Sequence, residues 1–237
     1  MKFALLIANR GFFPDTVIDE ARAELTEALA RAGHEALDWG RAVETAAQGM
    51  EYADFLDAHR HEYDGLIISL PNFGDENGIQ TAIRGVRVPI FLQAYPDDLA
   101  KLDFSHRRDA FCGKLALTSV LRQMGVKFTQ YPPFTTHPLS PAFQKQLADF
   151  AATCRVVKKL GNLRVGCLGA RTTAFKSVRY DEAALQRHGV NVETIDLTEV
   201  IGRMDRADPA DIRHWAGRVG EVCDTGALPE GRDMAIG

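Results

Sequence analysis

Cysteine is sparse in this 237-residue chain: Cys112, Cys154, Cys167 and Cys223 show no CxxC spacing or close pairing. That excludes a disulfide scaffold and a zinc ribbon, and the expectation is buried free thiols in a reducing cytosol. Long apolar runs are also missing. None approaches the ~18 residues that a membrane-spanning helix needs. The apolar start at residues 3–8 is broken by Asn9-Arg10 before it reaches the length of a secretory signal. A cytoplasmic protein is therefore expected. Positive charge is not in excess either, since 28 Lys and Arg face 32 Asp and Glu for a net charge of −4. Neither a nucleic acid nor a membrane surface is expected as an electrostatically driven partner. The seven histidines are scattered, and the His59-Arg60-His61 spacing does not suit a zinc site on one helix face. A metal centre built from this chain alone is not expected.

What is present is a strand–helix alternation. Apolar strands are predicted at residues 3–8, 34–39, 65–70 and 88–92, with a fifth at 126–128. Between them lie helices over 16–32, where Val17, Ile18, Ala21, Leu25, Ala28 and Leu29 recur at helical spacing, over 46–59, 79–83 and 114–124. Four prolines, Pro132, Pro133, Pro138 and Pro141, mark a turn-rich connection into a long helix over 141–160. A second unit is expected from residue 161, with strands at 163–169 and 192–195 and helices over 182–188, 197–204 and 210–222. The fold class is α/β: two Rossmann-like or flavodoxin-like parallel-sheet units, 1–160 and 161–237. The second, with two strands, reads as incomplete beside sheets of usual width.

Polar and glycine-bearing residues gather where the strands end, which is where open α/β sheets bind ligands. Asn9-Arg10-Gly11-Phe12-Phe13-Pro14 follows the first strand. Arg10 can aim a guanidinium at a polyol or anion, and Phe12 and Phe13 can support a sugar ring, or all three can pack locally. The segment lacks the GxGxxG pattern, so dinucleotide binding gains nothing from it. Asn72-Phe73-Gly74-Asp75-Glu76 offers an amide and two carboxylates, able to act as acid and base, as ligands to a hard metal, or as N-terminal helix acids. Gly74 is expected to turn the chain tightly. Gln93 and Tyr95 close the fourth strand, placed equally for sugar hydroxyls and for capping a loop. Arg107 and Arg108 form a local basic spot, and Cys112 opens a helix with no histidine placed to complete a nucleophilic pair.

Together, the segments 9–14, 72–76 and Arg108-Asp109-Ala110-Phe111-Cys112-Gly113-Lys114 resemble the amino-terminal part of the L-fucose/L-arabinose isomerase family, most closely its fucose isomerase-like members. The resemblance implies two α/β domains followed by a further domain, and aldose–ketose isomerisation of a monosaccharide through an enediol, assisted by Mn2+. It implies a homo-oligomer, trimer or hexamer, in which amino-terminal domains wall the sugar site. Arg10 and Phe12 would be the wall residues, with Asn72 and Tyr95 beside them. The family's metal ligands and catalytic acids lie beyond the region matched, so none is carried over. The alternative to an isomerase is a cytoplasmic carbohydrate-binding or structural module without catalysis.

Overall fold

The computed structural model describes residues 1–103 and 105–224. The chain divides into two compact units, Met1–Lys159 and Leu160–Gly237.

The first unit alternates strand and helix: β1 (Lys2–Ala8), α1 (Thr16–Arg31), β2 (Glu35–Val43), α2 (Ala46–Ala58), β3 (Gly65–Leu70), α3 (Glu76–Ala82), β4 (Ile90–Ala94), α4 (Ala110–Gln123) and α5 (Pro141–Leu160). The four strands form one parallel sheet in the order β2-β1-β3-β4. Burial on both faces explains why these strands read as unbroken apolar runs. The two-residue period splits them cleanly. Ala4, Leu6, Ala8, Leu66, Ile68, Leu70 and Leu92 join one core, shared with Tyr52, Leu56, Ile79, Leu117 and Leu121 of α2, α3 and α4. Phe3, Leu5, Ile7, Ile67 and Phe91 join the other, shared with Leu25 and Leu29 of α1 and Phe143, Leu147 and Phe150 of α5. Because β2 and β3 flank β1 on opposite sides, the chain reverses direction across β1, and a crevice opens at the carboxyl ends of β1 and β3.

Glycines set two close approaches. At Gly49 a Cβ would lie 2.3 Å from the Gly78 carbonyl oxygen, so α2 and α3 meet backbone to backbone. Gly74 has no positive φ. A Cβ there would stand 2.9 Å from Ile79 Cδ1 and Leu70 Cδ2 and 3.0 Å from Ala8 Cβ. Tight packing, not a turn conformation, is what demands glycine at this position.

The expected fifth strand at 126–128 is not formed. What remains is a single bridge one residue later, where Thr129 donates to Ile90 O at 2.7 Å and accepts from Leu92 N at 3.0 Å. The next ladder acceptor, Leu92 O, is taken by Lys114 Nζ at 2.8 Å, and Pro132 and Pro133 follow with no N–H to give.

The second unit holds a two-stranded parallel sheet, β5 (Arg164–Leu168) beside β6 (Asn191–Ile195), with α6 (Glu182–Arg187), α7 (Leu197–Met204) and α8 (Pro209–Val222). Asp181, Asp196 and Asp208 cap these three helices through their carboxylates. Among its described residues, Gly169 and Val190 are the buried ones.

Candidate functional site

Three loops rise from the carboxyl ends of the sheet of the first unit: 9–15 after β1, 71–75 after β3, and 95–109 after β4. They meet through aromatic rings and guanidinium groups. Arg10 lies over the Phe73 ring at 4.4 Å from its centroid. Phe13 stacks on Phe73 at 6.2 Å with planes 5° apart, and Phe12 rests against Phe13 at 4.3 Å. Arg107 covers Phe13 at 5.4 Å. The two adjacent phenylalanines divide their roles: Phe13 is buried, while Phe12 is 59% exposed.

Asn72 organises the crest from beneath. It is fully buried, and its Nδ2 donates to Arg107 O at 2.9 Å while its Oδ1 accepts from Phe73 N at 3.0 Å and Asp109 N at 2.8 Å. Those hydrogen bonds pin the Arg107–Arg108–Asp109 turn to the end of β3. The two arginines then diverge. Arg107 pairs with Asp109. Arg108 lies over Tyr95 at 4.4 Å and donates to Pro71 O at 3.0 Å and Glu20 Oε2 at 2.7 Å. Tyr95 is buried, and its hydroxyl donates to Glu24 at 2.7 Å. Burial first, then the Glu24 carboxylate, holds this phenol well above its ordinary range, so it stays protonated. His137 Nδ1 accepts from Leu139 N at 3.2 Å, which turns Nε2 to Glu24 Oε1 at 3.2 Å. A hollow of about 480 Å3 opens beside this network, with Thr16, Glu20, Tyr95, Lys101, Arg108 and His137 in its wall.

The structure thus connects Arg10, Phe12, Asn72 and Tyr95 through Phe73, Arg107 and Arg108. Arg10 and Phe12 stand on the crest, Asn72 lies beneath it, and Tyr95 lies on the far side of Arg108. Gln93 is committed internally, accepting from Ser69 Oγ at 2.5 Å and donating to Thr136 O at 2.7 Å. Asp75 caps α3 through Gly78 N at 2.7 Å, the helix-acid alternative for one of the two carboxylates. All four cysteines are free, with Cys112 exposed and Cys154 buried, its thiol pushed up to about 12 by burial. Sequence reasoning missed Glu20, Glu24 and His137. Glu20 and Glu24 sit one turn apart on α1, and that i, i+4 acidic spacing on a helix with an apolar opposite face was the available signal.

Among the described residues, Lys114 has no acidic partner. Its Nζ donates to Leu92 O at 2.8 Å and Phe134 O at 2.6 Å, clipping the 131–137 segment to the end of β4. Burial lowers its pKa to about 8. Between that value and the lysine range of about 10.4, the unfolded chain keeps a proton that the folded chain has released. Stability should therefore rise with pH through that window, by on the order of 3 kcal/mol, and be insensitive to this group below it. Urea unfolding of the protein and of Lys114→Met at pH 7.5 and pH 10 checks this. The parent should gain most of that amount on the variant between the two pH values. A constant difference would mean that Lys114 does not titrate there.

Among the described residues, no helix is long and apolar enough to cross a membrane. No curated protein matches the chain. Residues 4–161, from β1 through α5, match the family described as fucose/sulfoquinovose isomerase, N-terminal domain. With two thirds of its length in that match, and with the arginine and phenylalanine segments of the crest inside it, the chain belongs to the fucose/sulfoquinovose isomerase family through this N-terminal domain.

Proposed function

We propose that this chain is the sugar-facing amino-terminal portion of an aldose–ketose isomerase, and that Arg10, Phe12 and Phe73 meet the monosaccharide. The observation that carries the proposal is Arg10. Its side chain lies on Phe73, makes no ion pair among the described residues, and stands next to an exposed phenylalanine. A sugar ring presents hydroxyls at its edge and C–H groups on its faces, and a guanidinium beside an aromatic surface matches both. Asn72 and Tyr95 contribute by holding the arginines, because their polar atoms are already bonded.

Isomerisation moves a proton between C1 and C2 through an enediol, and a divalent cation such as Mn2+ supplies polarisation of the carbonyl and neighbouring hydroxyl. Among the described residues, no three His, Cys, Asp or Glu side chains converge to hold such an ion. These residues do not fit a metal centre, and no step is assigned through one. Their part is to bind and orient the sugar. In a homo-oligomer, trimer or hexamer, the crest would wall the reacting site of a neighbouring subunit. The cytoplasm is the proposed location.

Incubation of the protein with L-fucose and Mn2+, followed for ketose, tests the reading directly. Ketose formation supports the isomerase, and saturable sugar binding without turnover supports the carbohydrate-binding module instead. Loss of both overturns a sugar-facing crest. Arg10→Ala should weaken sugar binding about tenfold, the size of one charge-assisted hydrogen bond. It should cost the fold only the ~0.5–1 kcal/mol of an exposed cation–π contact. Unchanged affinity in a titration of this variant would remove Arg10 from the site.

A further inference from the structure

The amino-terminal end of the sheet of the first unit carries a basic hollow in which two arginines have no side-chain partner among the described residues. Residues 59–64 lead into β3 and residues 84–89 into β4. Between these entries and the end of α2 lies a cavity of about 480 Å3. Leu56 and Tyr63 are buried at its base, Val86 and Val88 pack against the core beside them, and Arg60, Arg84 and Arg87 are exposed around it. Two further hollows, of about 350 and 280 Å3, also have Arg87 in their walls. Arg87 is the corner where three depressions meet.

Two of the three guanidinium groups here are uncommitted. The side chains of Arg84 and Arg87 make no hydrogen bond, ion pair or ring contact among the described residues. Arg60 reaches Asp57 at 3.5 Å and donates to His61 Nε2 at 3.3 Å. Asp54 and Asp57 are the acids of the lining, set against three arginines. Guanidinium groups match phosphate oxygens two at a time, as ammonium groups do not. An apolar base under a basic rim asks for an anion with an apolar body.

We propose that this hollow binds an organic phosphate, a phosphomonoester whose anion is held by Arg84 and Arg87 and whose apolar portion rests on Tyr63, Val86 and Val88. The site lies at the end of the sheet opposite Arg10 and stands independently of the isomerase reading.

The test is an NMR titration of the 15N-labelled protein with phenyl phosphate, inorganic phosphate and benzyl alcohol. Phenyl phosphate should shift the amides of Tyr63, Gly85, Val86, Arg87 and Val88 saturably. It should bind about tenfold more tightly than inorganic phosphate, from the apolar area covered, and more weakly as salt is added. The double variant Arg84→Gln/Arg87→Gln should lose at least about tenfold in affinity and melt at the parent temperature, since neither arginine has a partner to lose. Shifts confined to the Arg10–Arg107 crest, no saturable shift, or equal binding by the double variant would each overturn the proposal. Equal affinity for phenyl phosphate and inorganic phosphate would overturn the organic ligand class. Benzyl alcohol binding as tightly as phenyl phosphate would overturn the role of the arginines.

Discussion

Asn72→Ala is expected to destabilise the first unit by about 3 kcal/mol in urea unfolding, a large loss for one side chain. The truncation removes the partners of two backbone N–H groups, those of Phe73 and Asp109, and of the Arg107 carbonyl. Each buried group left unpaired costs about 1–3 kcal/mol, and water entering the vacated space recovers part of the sum. Asn72→Asp is no gentler: it keeps the acceptor for Phe73 and Asp109 but sets a buried carboxylate oxygen against Arg107 O in place of the donor, so it should also destabilise. The crest should suffer as well. With the turn released, Arg107 leaves Phe13 and Arg108 leaves Tyr95, and sugar affinity should drop through the arginines that the Asn72 amide positions. A loss of stability below about 0.5 kcal/mol, the noise of an ordinary surface substitution, would mean that the turn is held by something else.

Gly49→Val should be at least as damaging, about 3 kcal/mol or more. The first atom of the new side chain falls 2.3 Å from the Gly78 carbonyl oxygen and 3.0 Å from Thr81 Cβ. A backbone oxygen cannot swing aside as a methyl group can, so α2 and α3 must separate. Gly74→Val meets mainly side-chain ends, Ile79 Cδ1 and Leu70 Cδ2, and its cost should be smaller, about 1–3 kcal/mol. Thermal unfolding of the two variants side by side gives the order. Gly74→Val melting below Gly49→Val would invert the explanation, placing the crowding of core side chains above a clash with backbone.

The elements whose signal is local were legible in the sequence. The strands of the first sheet announce themselves as apolar runs because both faces are covered, and α1 by the spacing of Val17, Ile18, Ala21, Leu25, Ala28 and Leu29. The crest was legible to the extent that Arg10 and Phe12 stand together after a strand. What failed was non-local. Val126 to Phe128 has a strand's composition, yet the pairing with β4 comes down to one bridge, at Thr129 beyond it. Gly74 reads as a turn glycine, but the residues that crowd it, Ala8, Leu70 and Ile79, come from three elements. Nothing near Tyr95 in sequence points to Glu24, which reaches it from α1 across 71 positions. Asn72 was singled out as a candidate for the ligand, and a sequence cannot say that both ends of an amide are already spoken for.

The second unit shows how unevenly the chain should resist opening. Its two parallel strands exchange hydrogen bonds along their length, yet Gly169 and Val190 are its only buried residues among those described. Opening such a pair exposes little new apolar surface, so its amides should trade protons with solvent through small, frequent local fluctuations. Amides of β1 and β3 lie between two cores and should exchange only when the whole first unit comes apart. A melting curve of this protein should therefore report mainly on its first unit, and the described residues of the second are better followed by the isotope clock of their backbone.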